Sequence, residues 1–231
     1  MQKIVILTGA GISAESGLKT FRDKDGLWEG HKVEDVATPE AWLRNPDMVL
    51  DFYNQRRAQL KRATPNQAHT TLAKLDEEFH TTIITQNVDD LHERGGSKNI
   101  IHVHGELFKV RSTTKSDLIY EWRKDLTLND KCELGSQLRP HIVWFGEEVP
   151  MLEKAARECL DARICIIVGT SMQVYPAAGL VRYLPQDCTL YYIDPNPTIS
   201  YELGTRRNLE LIKMKATEGV QNLVTRLLAH D

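Results

Sequence analysis

Five short runs of β-branched and aromatic residues recur along the 231-residue chain: IVIL at 4–7, TTIIT at 81–85, IIHVH at 100–104, ICIIVG at 164–169 and LYYID at 190–194. None contains proline, and each leads into polar or glycine-bearing turn sequence, the pattern of strands buried on both faces. Between them, residues 46–62, 66–78, 151–161 and 217–229 carry apolar side chains at helical spacing. Strands alternating with helices predict an α/β fold, a Rossmann-like doubly wound parallel sheet. Ligands of such sheets bind outside the carboxyl ends of the strands. Those ends read TGAG, TQNVDD, HVHGE, VGTS and IDPN, so five polar or glycine-rich loops are expected around one crevice.

Two stretches lack this rhythm. Residues 20–62 hold a loop and then a helix with Pro46 near its start, and residues 107–145 mix charged and β-type residues. They predict a small, discontinuous second lobe within a single domain spanning 1–231. A net charge of −3 and the lack of any Lys/Arg block argue against nucleic acid as a partner. The longest apolar runs, such as ICIIV at 164–168, are too short to cross a bilayer. Strand-like sequence begins by residue 4, so no leader peptide and a cytoplasmic location are expected. Cys132, Cys159, Cys165 and Cys188 form no C-x-x-C pair and read as reduced core or incidental residues.

After the first strand, Gly9, Gly11 and Ala14 spell G-x-G-x-x-A. Glycines there permit a tight turn and close approach of backbone N–H groups to a pyrophosphate. A helix beginning near Ser13 would point its positive end at that charge. Taken alone, the pattern reads equally as a tight turn before a helix. A dehydrogenase would continue with a helix, a strand and an acidic residue, but here Phe21, Arg22 and Asp23 follow, with no strand-like run until 81. GTS at 169–171 supplies a second small-residue turn, and Asp194 suits either ribose hydroxyls or a turn cap. TQNVDD gathers Gln86, Asn87, Asp89 and Asp90; amides offer the donor and acceptor that a carboxamide needs. In HVHGE, His102 and His104 form either a metal pair lacking a third ligand or a general base beside a structural histidine. Gly105 suggests that the strand ends at His104 and opens that imidazole to the crevice.

GAGISAESGLKTFR, TQNVDDLH, HVHGEL, HIVWFGE and GTSMQVYPAAG, in this order across nearly the whole chain, resemble the sirtuins, the NAD-dependent protein deacylases. The resemblance implies that NAD is cleaved rather than used for hydride transfer. The acyl-lysine oxygen displaces nicotinamide, and the products are lysine, nicotinamide and O-acyl-ADP-ribose. It implies His104 as general base, with Asn87 and Asp89 as its catalytic companions. Gly9, Ala10, Gly11, Ile12 and Ser13, with Gln86, Asn87, Val88 and Asp89, would bind the cofactor at its nicotinamide and ribose sites. Phe21, Arg22 and Trp28 would belong to a cofactor-binding loop. Gly169, Thr170 and Ser171 would hold phosphate and ribose, with Asp194, Pro195, Asn196 and Ala216 near the adenosine. Val143, Phe145, Gly146 and Glu147 on one side, and Val174 and Tyr175 on the other, would sandwich an extended substrate peptide by β-augmentation.

DFYNQRR at 51–57 puts Tyr53 and Arg56 on one helical face, with Arg57 facing elsewhere as a control. The pair matches the Tyr-x-x-Arg of the bacterial sirtuin branch that removes succinyl and malonyl groups. A guanidinium and a phenol can clamp the free carboxylate of such acyl chains. Most sirtuins also hold a zinc on two cysteine pairs, but here that interval contains only Cys132. One thiolate cannot replace four ligands, so no structural zinc is expected. The small lobe is instead expected to cohere through Leu118, Tyr120, Trp122 and Leu126. Acylated lysine side chains of cellular proteins are the expected partners, and a monomer is favoured. Competing readings are a protein ADP-ribosyltransferase, a non-catalytic NAD or ADP-ribose binding module, and a metal-dependent amidohydrolase using His102 and His104.

Overall fold

The computed structural model describes residues 1–19 and 30–229; Phe21, Arg22 and Trp28 lie outside the described residues. The chain begins with β1 (Lys3–Thr8), α1 (Val33–Val36), α2 (Pro39–Arg44), α3 (Pro46–Arg62), α4 (Gln67–Ala73), β2 (His80–Thr85) and α5 (Leu91–Arg94). Four strands follow: β3 (Ile100–His102), β4 (Gly105–Ser112), β5 (Ile119–Glu121) and β6 (Leu138–Ile142). The remainder is α6 (Leu152–Cys159), β7 (Ile164–Val168), β8 (Thr189–Ile193), α7 (Tyr201–Gly204), β9 (Leu209–Ile212) and α8 (Ala216–Leu228).

Six strands form one sheet in the order β3-β2-β1-β7-β8-β9, and every neighbouring pair is parallel. Alternation of side chains along a strand divides β1 between two cores. Ile4 and Ile6 sink into the layer built by α4 and α8, whereas Val5 and Leu7 face α6 and a 3-10 helix at Ala177–Tyr183. Coverage on both faces is why these strands read as unbroken apolar runs.

Three details differ from the sequence expectation. The first turn leads into a seven-residue 3-10 helix, Ala10–Ser16, rather than a helix starting near Ser13. The run at 100–104 leaves the sheet at His102, and Gly105 opens β4 in a different sheet. β9 is an edge strand with no buried residue, so LELI lacks the continuous apolar run that marks the other strands.

The second sheet is antiparallel, ordered β5-β4-β6. Phe52, Tyr53 and Leu60 of α3 share a core with Leu107, Phe108, Ile142 and Trp144. Beside it, Leu50, Val110, Leu126, Cys132 and Leu138 form a second cluster, with Leu118, Tyr120 and Trp122 packed against it. Full burial of one such large apolar side chain stabilises by about 1.5–3 kcal/mol, so these clusters hold the lobe by packing.

The junction between the sheets depends on Gly105, at φ 84°, where an added Cβ would lie 2.0 Å from the His141 carbonyl oxygen. Gly105→Ala is expected to cost at least ~1–3 kcal/mol and to lower the melting temperature by several degrees. An unchanged calorimetric melt would show that the junction yields freely.

Candidate active site

β1 and β7 are adjacent, and the sheet grows outward from them in opposite directions, which opens a crevice at their carboxyl ends. The turns that leave them are tied together. The Gly9 N–H donates to the Val168 carbonyl at 3.1 Å, and the Gly11 N–H donates to the Gly169 carbonyl at 2.8 Å. A Cβ on Gly11 would meet Gly169 Cα at 2.7 Å, and one on Gly169 would meet the Ile12 nitrogen at 2.3 Å. The glycines are therefore required first for turn-on-turn packing. A cavity of about 410 Å3 lies over them, lined by Gly9, Ala10, Gly11 and Ser13, by Gly169, Thr170 and Ser171, and by Asp194. Ile12 and Ala216 do not line it and are buried in the core between sheet and helices. Pro195 and Asn196 are exposed and also stand off the cavity. Asp194 lines the cavity, and its Oδ1 accepts the Asn196 N–H at 2.8 Å, as a turn cap does.

Gln86, Asn87, Val88, Asp89 and His104 line the same cavity. Their loop leaves β2 and is held from the β3–β4 region. The Leu107 N–H donates to the Val88 carbonyl at 2.8 Å, and His104 Nδ1 lies 3.2 Å from the Gln86 carbonyl. A carbonyl only accepts, so His104 carries its proton on Nδ1 and keeps a lone pair on Nε2, as a general base requires. Burial lowers the His104 pKa against the opposing pull of the Gln86 carbonyl, which leaves the ring neutral at pH 7. Asp89 is buried and accepts from Ser13 Oγ at 2.9 Å and from the Leu91 N–H at 3.1 Å. Burial raises its pKa while those bonds oppose the rise. Asn87 Nδ2 donates to Ser13 Oγ at 3.2 Å, so one hydroxyl orients both catalytic candidates of the loop.

A buried layer beneath Ser13 was not anticipated from sequence. His69 Nε2 lies 3.4 Å from Ser13 Oγ, His92 Nε2 lies 3.0 Å from Thr8 Oγ1, and the two rings meet edge-on at 5.0 Å. Burial pushes the His69 pKa down to about 4, so it serves as a neutral hydrogen-bonding group. The available signal was the N-x-x-H spacing of Asn66 and His69, which forms the capping box of α4.

The helix α3 begins at Pro46 behind Asn45, whose side chain accepts the Met48 N–H at 3.1 Å, and ends with Lys61 and Arg62 near its negative pole. It presents Tyr53 and Arg56, one turn apart, to the cavity. Tyr53 is fully buried, and its oxygen accepts Trp144 Nε1–H at 3.1 Å. Burial drives its phenol pKa upward, so the O–H stays protonated and able to donate. The Arg56 guanidinium lies 5.5 Å from the centre of the Phe52 ring. Arg57 does not line the cavity, but it is only 1% exposed. Its Nε donates to the Leu107 carbonyl at 3.1 Å and its Nη1 to Asn54 at 2.7 Å. Arg57 thus ties α3 to β4 and cannot serve as a neutral control.

Val143, Phe145, Gly146 and Glu147 line the cavity, as do Val174 and Tyr175. The Glu147 carboxylate is already engaged by Arg139 at 2.6 Å, by Arg111 at 3.2 Å and by the Trp144 N–H at 2.8 Å. It shapes the 143–147 segment from within. The Arg139 guanidinium also stacks over Trp144 at 3.3 Å, so sequence reasoning missed both a Trp and an Arg that brace Tyr53.

The Sir2 family profile matches residues 9–176, from the first glycine of the crevice to Pro176. The chain belongs to the Sir2 family. An NAD-dependent protein deacylase of Helicobacter pylori is 53% identical over 228 residues, covering 99% of this chain and 98% of the relative. A Sir2 homologue solved with NAD has a TM-score of 0.88 at 40% identity, covering 99% of this chain and 90% of that one. A mutant Sir2 homologue solved with 2'-O-acetyl-ADP-ribose has a TM-score of 0.87 at 39% identity, covering 99% and 92%.

Within this Sir2 chain, Cys159, Cys165 and Cys188 lie in the core of the parallel sheet, and Cys132 alone belongs to the small-lobe cluster. The two cysteine pairs of a structural zinc site therefore have no counterpart, and these residues do not fit that metal. Among the described residues, the one His/Cys/Asp/Glu group close enough to share an ion is Glu93, His102 and Glu106. His102 Nε2 is bonded to Glu93 at 2.7 Å and Lys109 pairs with Glu106 at 2.8 Å, while His104 is not a member. Elemental analysis of purified protein is expected to find no stoichiometric zinc, and chelator treatment to leave turnover unchanged. One tightly held zinc per chain would overturn the packing account of the small lobe.

Proposed function

We propose that this Sir2 protein is an NAD-dependent protein-lysine deacylase that acts on succinyl- and malonyl-lysine ahead of acetyl-lysine. One observation carries the reading: a single cavity is lined by the two glycine turns, by Asn87, Asp89 and His104, and by Tyr53 and Arg56. Its residues fit NAD. Ala10, Gly11, Ser13 and Gly169 to Ser171 would hold phosphates and ribose, Asp194 the adenosine half, and Gln86, Asn87 and Asp89 the nicotinamide half. When bound, NAD supplies an ADP-ribosyl group with nicotinamide as its leaving group.

His104 accepts a proton at Nε2. Asn87 and Asp89, fixed through Ser13, orient the polar groups of the cofactor, while Leu107, Ile142 and Val143 exclude water from the acyl side. The Val143–Phe145 and Val174–Tyr175 segments flank the peptide, and Tyr53 and Arg56 pair with a terminal acyl carboxylate. Products are free lysine, nicotinamide and O-acyl-ADP-ribose, and the relatives solved with NAD and with 2'-O-acetyl-ADP-ribose support this assignment. The proposal extends to a monomer in which residues 1–231 act as one catalytic domain whose small lobe supplies the acyl end. Among the described residues, no helix is long and apolar enough to cross a membrane.

The test is mass spectrometry of one peptide carrying acetyl, succinyl or malonyl lysine, with and without NAD. Acyl loss is expected only with NAD, with one nicotinamide released per acyl group and succinyl or malonyl turning over fastest. ADP-ribose left on the peptide would instead support a transferase, and acyl loss without NAD a hydrolase.

A further inference from the structure

The two histidines of HVHGE hold consecutive carbonyls of the loop that carries Asn87 and Asp89. His104 takes Gln86. His102 does not line the cavity, and its Nδ1 lies 3.1 Å from the Asn87 carbonyl while its Nε2 lies 2.7 Å from Glu93 Oε1. A peptide carbonyl and an ionised carboxylate both only accept, so serving both partners requires N–H at both ring nitrogens. A neutral ring would turn a lone pair toward one acceptor, at a side chain only 8% exposed, where water gives little relief.

We infer that His102, held as an imidazolium by Glu93 of α5, is a positioning residue that pins the Asn87 carbonyl and so orients Asn87 and Asp89. The inference rests on the deacylase reading for its effect on turnover, though not for its geometry. The charged neighbours agree with it. Glu106 of β4 adds a second carboxylate, itself paired with Lys109, and Asp89 lies on the pinned loop. Asp90 is engaged by Arg94 at 3.2 Å, and Arg123 approaches it at 3.6 Å. His92, the other histidine nearby, is kept neutral by burial. Burial pulls the His102 pKa down, but the bond and charge of Glu93, followed by Glu106, carry it above its ordinary value. Burial likewise opposes ionisation of Glu93, yet its bond to His102 holds it below the carboxylate range, so the two partners agree in sign.

A raised histidine pKa means that the pin persists above the ordinary histidine value and is lost as pH rises through the raised one. His104 must be deprotonated to act, so it sets the acid limb, and His102 sets an alkaline limb. In Glu93→Gln, the amide N–H can donate to Nε2 of a neutral ring, and Nδ1–H still reaches Asn87. The pin then survives without charge.

The experiment combines pH profiles of kcat with NMR titration of the imidazoles, on protein saturated with NAD. The wild-type His102 resonance, assigned by its loss in His102→Gln, is expected to titrate above about 6.5 and to fall in Glu93→Gln. The alkaline limb of kcat should disappear in Glu93→Gln. His102→Phe, with a normal melt, should lower kcat by roughly 10–100-fold with KM for peptide little changed, and His102→Gln should recover much of that loss. Glu93→Gln with the wild-type profile, or a His102 resonance titrating below the ordinary histidine value, would overturn the inference. A raised His102 titration in a protein that releases no nicotinamide would instead sink the deacylase reading and leave the pin standing.

Discussion

Replacing His104 with alanine is expected to slow NAD-dependent deacylation by roughly 10²–10⁴-fold, the usual contribution of a positioned general base. The geometry makes the test selective. His104 touches the catalytic loop only through Nδ1 and the Gln86 carbonyl, whereas Asn87 and Asp89 are fixed separately through Ser13. The backbone carbonyl of residue 104, which accepts the Val143 N–H at 2.9 Å, survives the substitution. NAD binding by calorimetry should therefore remain measurable while single-turnover deacylation collapses. The wild-type acid limb should lie below pH ~6.5, because burial lowers the His104 pKa and the neutral form persists into mildly acidic solution. Near-normal turnover in His104→Ala would remove this imidazole from the mechanism.

Arg56→Met is expected to lower kcat/KM on succinyl- and malonyl-lysine by roughly 10–100-fold, matching ~1.5–3 kcal/mol for one charged contact. A carboxylate that enters an acyl pocket walled by Leu107, Ile142 and Val143 loses its hydration and needs a fixed cation and a donor in exchange. Arg56 supplies the charge. In the proposed reading Tyr53 supplies an O–H, which burial keeps protonated and whose oxygen is oriented by the N–H of Trp144. Methionine keeps the apolar stem, so turnover of acetyl-lysine, which has no carboxylate, should change little or rise. Gln55, exposed on the same helix with its side chain donating to Asp51 at 2.8 Å, replaces Arg57 as the control position. Equal losses on acetyl and succinyl peptides would mean that Arg56 supports the fold or the cofactor, and the acyl-specificity account would fail.

Much of this site was legible in the chain because its information is local. Five of the six parallel strands announce themselves by apolar runs, since burial on both faces requires it; β9, exposed at the edge, obeys no such requirement. Tyr53 and Arg56 share a face because helical spacing alone decides it, and Gly105 marks a break because its positive φ is a local property. The order of the glycine turns, the TQNVDD loop and HVHGE along the sequence was enough to point to one crevice and one family. Which side chains meet across distant segments was a different matter. Spacing put Arg57 off the Tyr53–Arg56 face, but only the docking of α3 on β4 made it a buried tie to Leu107. Glu147 lines the cavity, but only the fold shows that Arg139 and Arg111 pair with its carboxylate. His102 and His104 differ by two positions in an H-x-H, yet one lines the cavity and the other is clamped between Asn87 and Glu93. The sequence determined the strands, the helical faces and the chemical groups available, because those follow from bonds and residue-to-residue spacing. The partners of each buried polar group were decided only by the tertiary structure, because a donor and an acceptor dozens of residues apart meet only once the crossovers and the second sheet have closed around them.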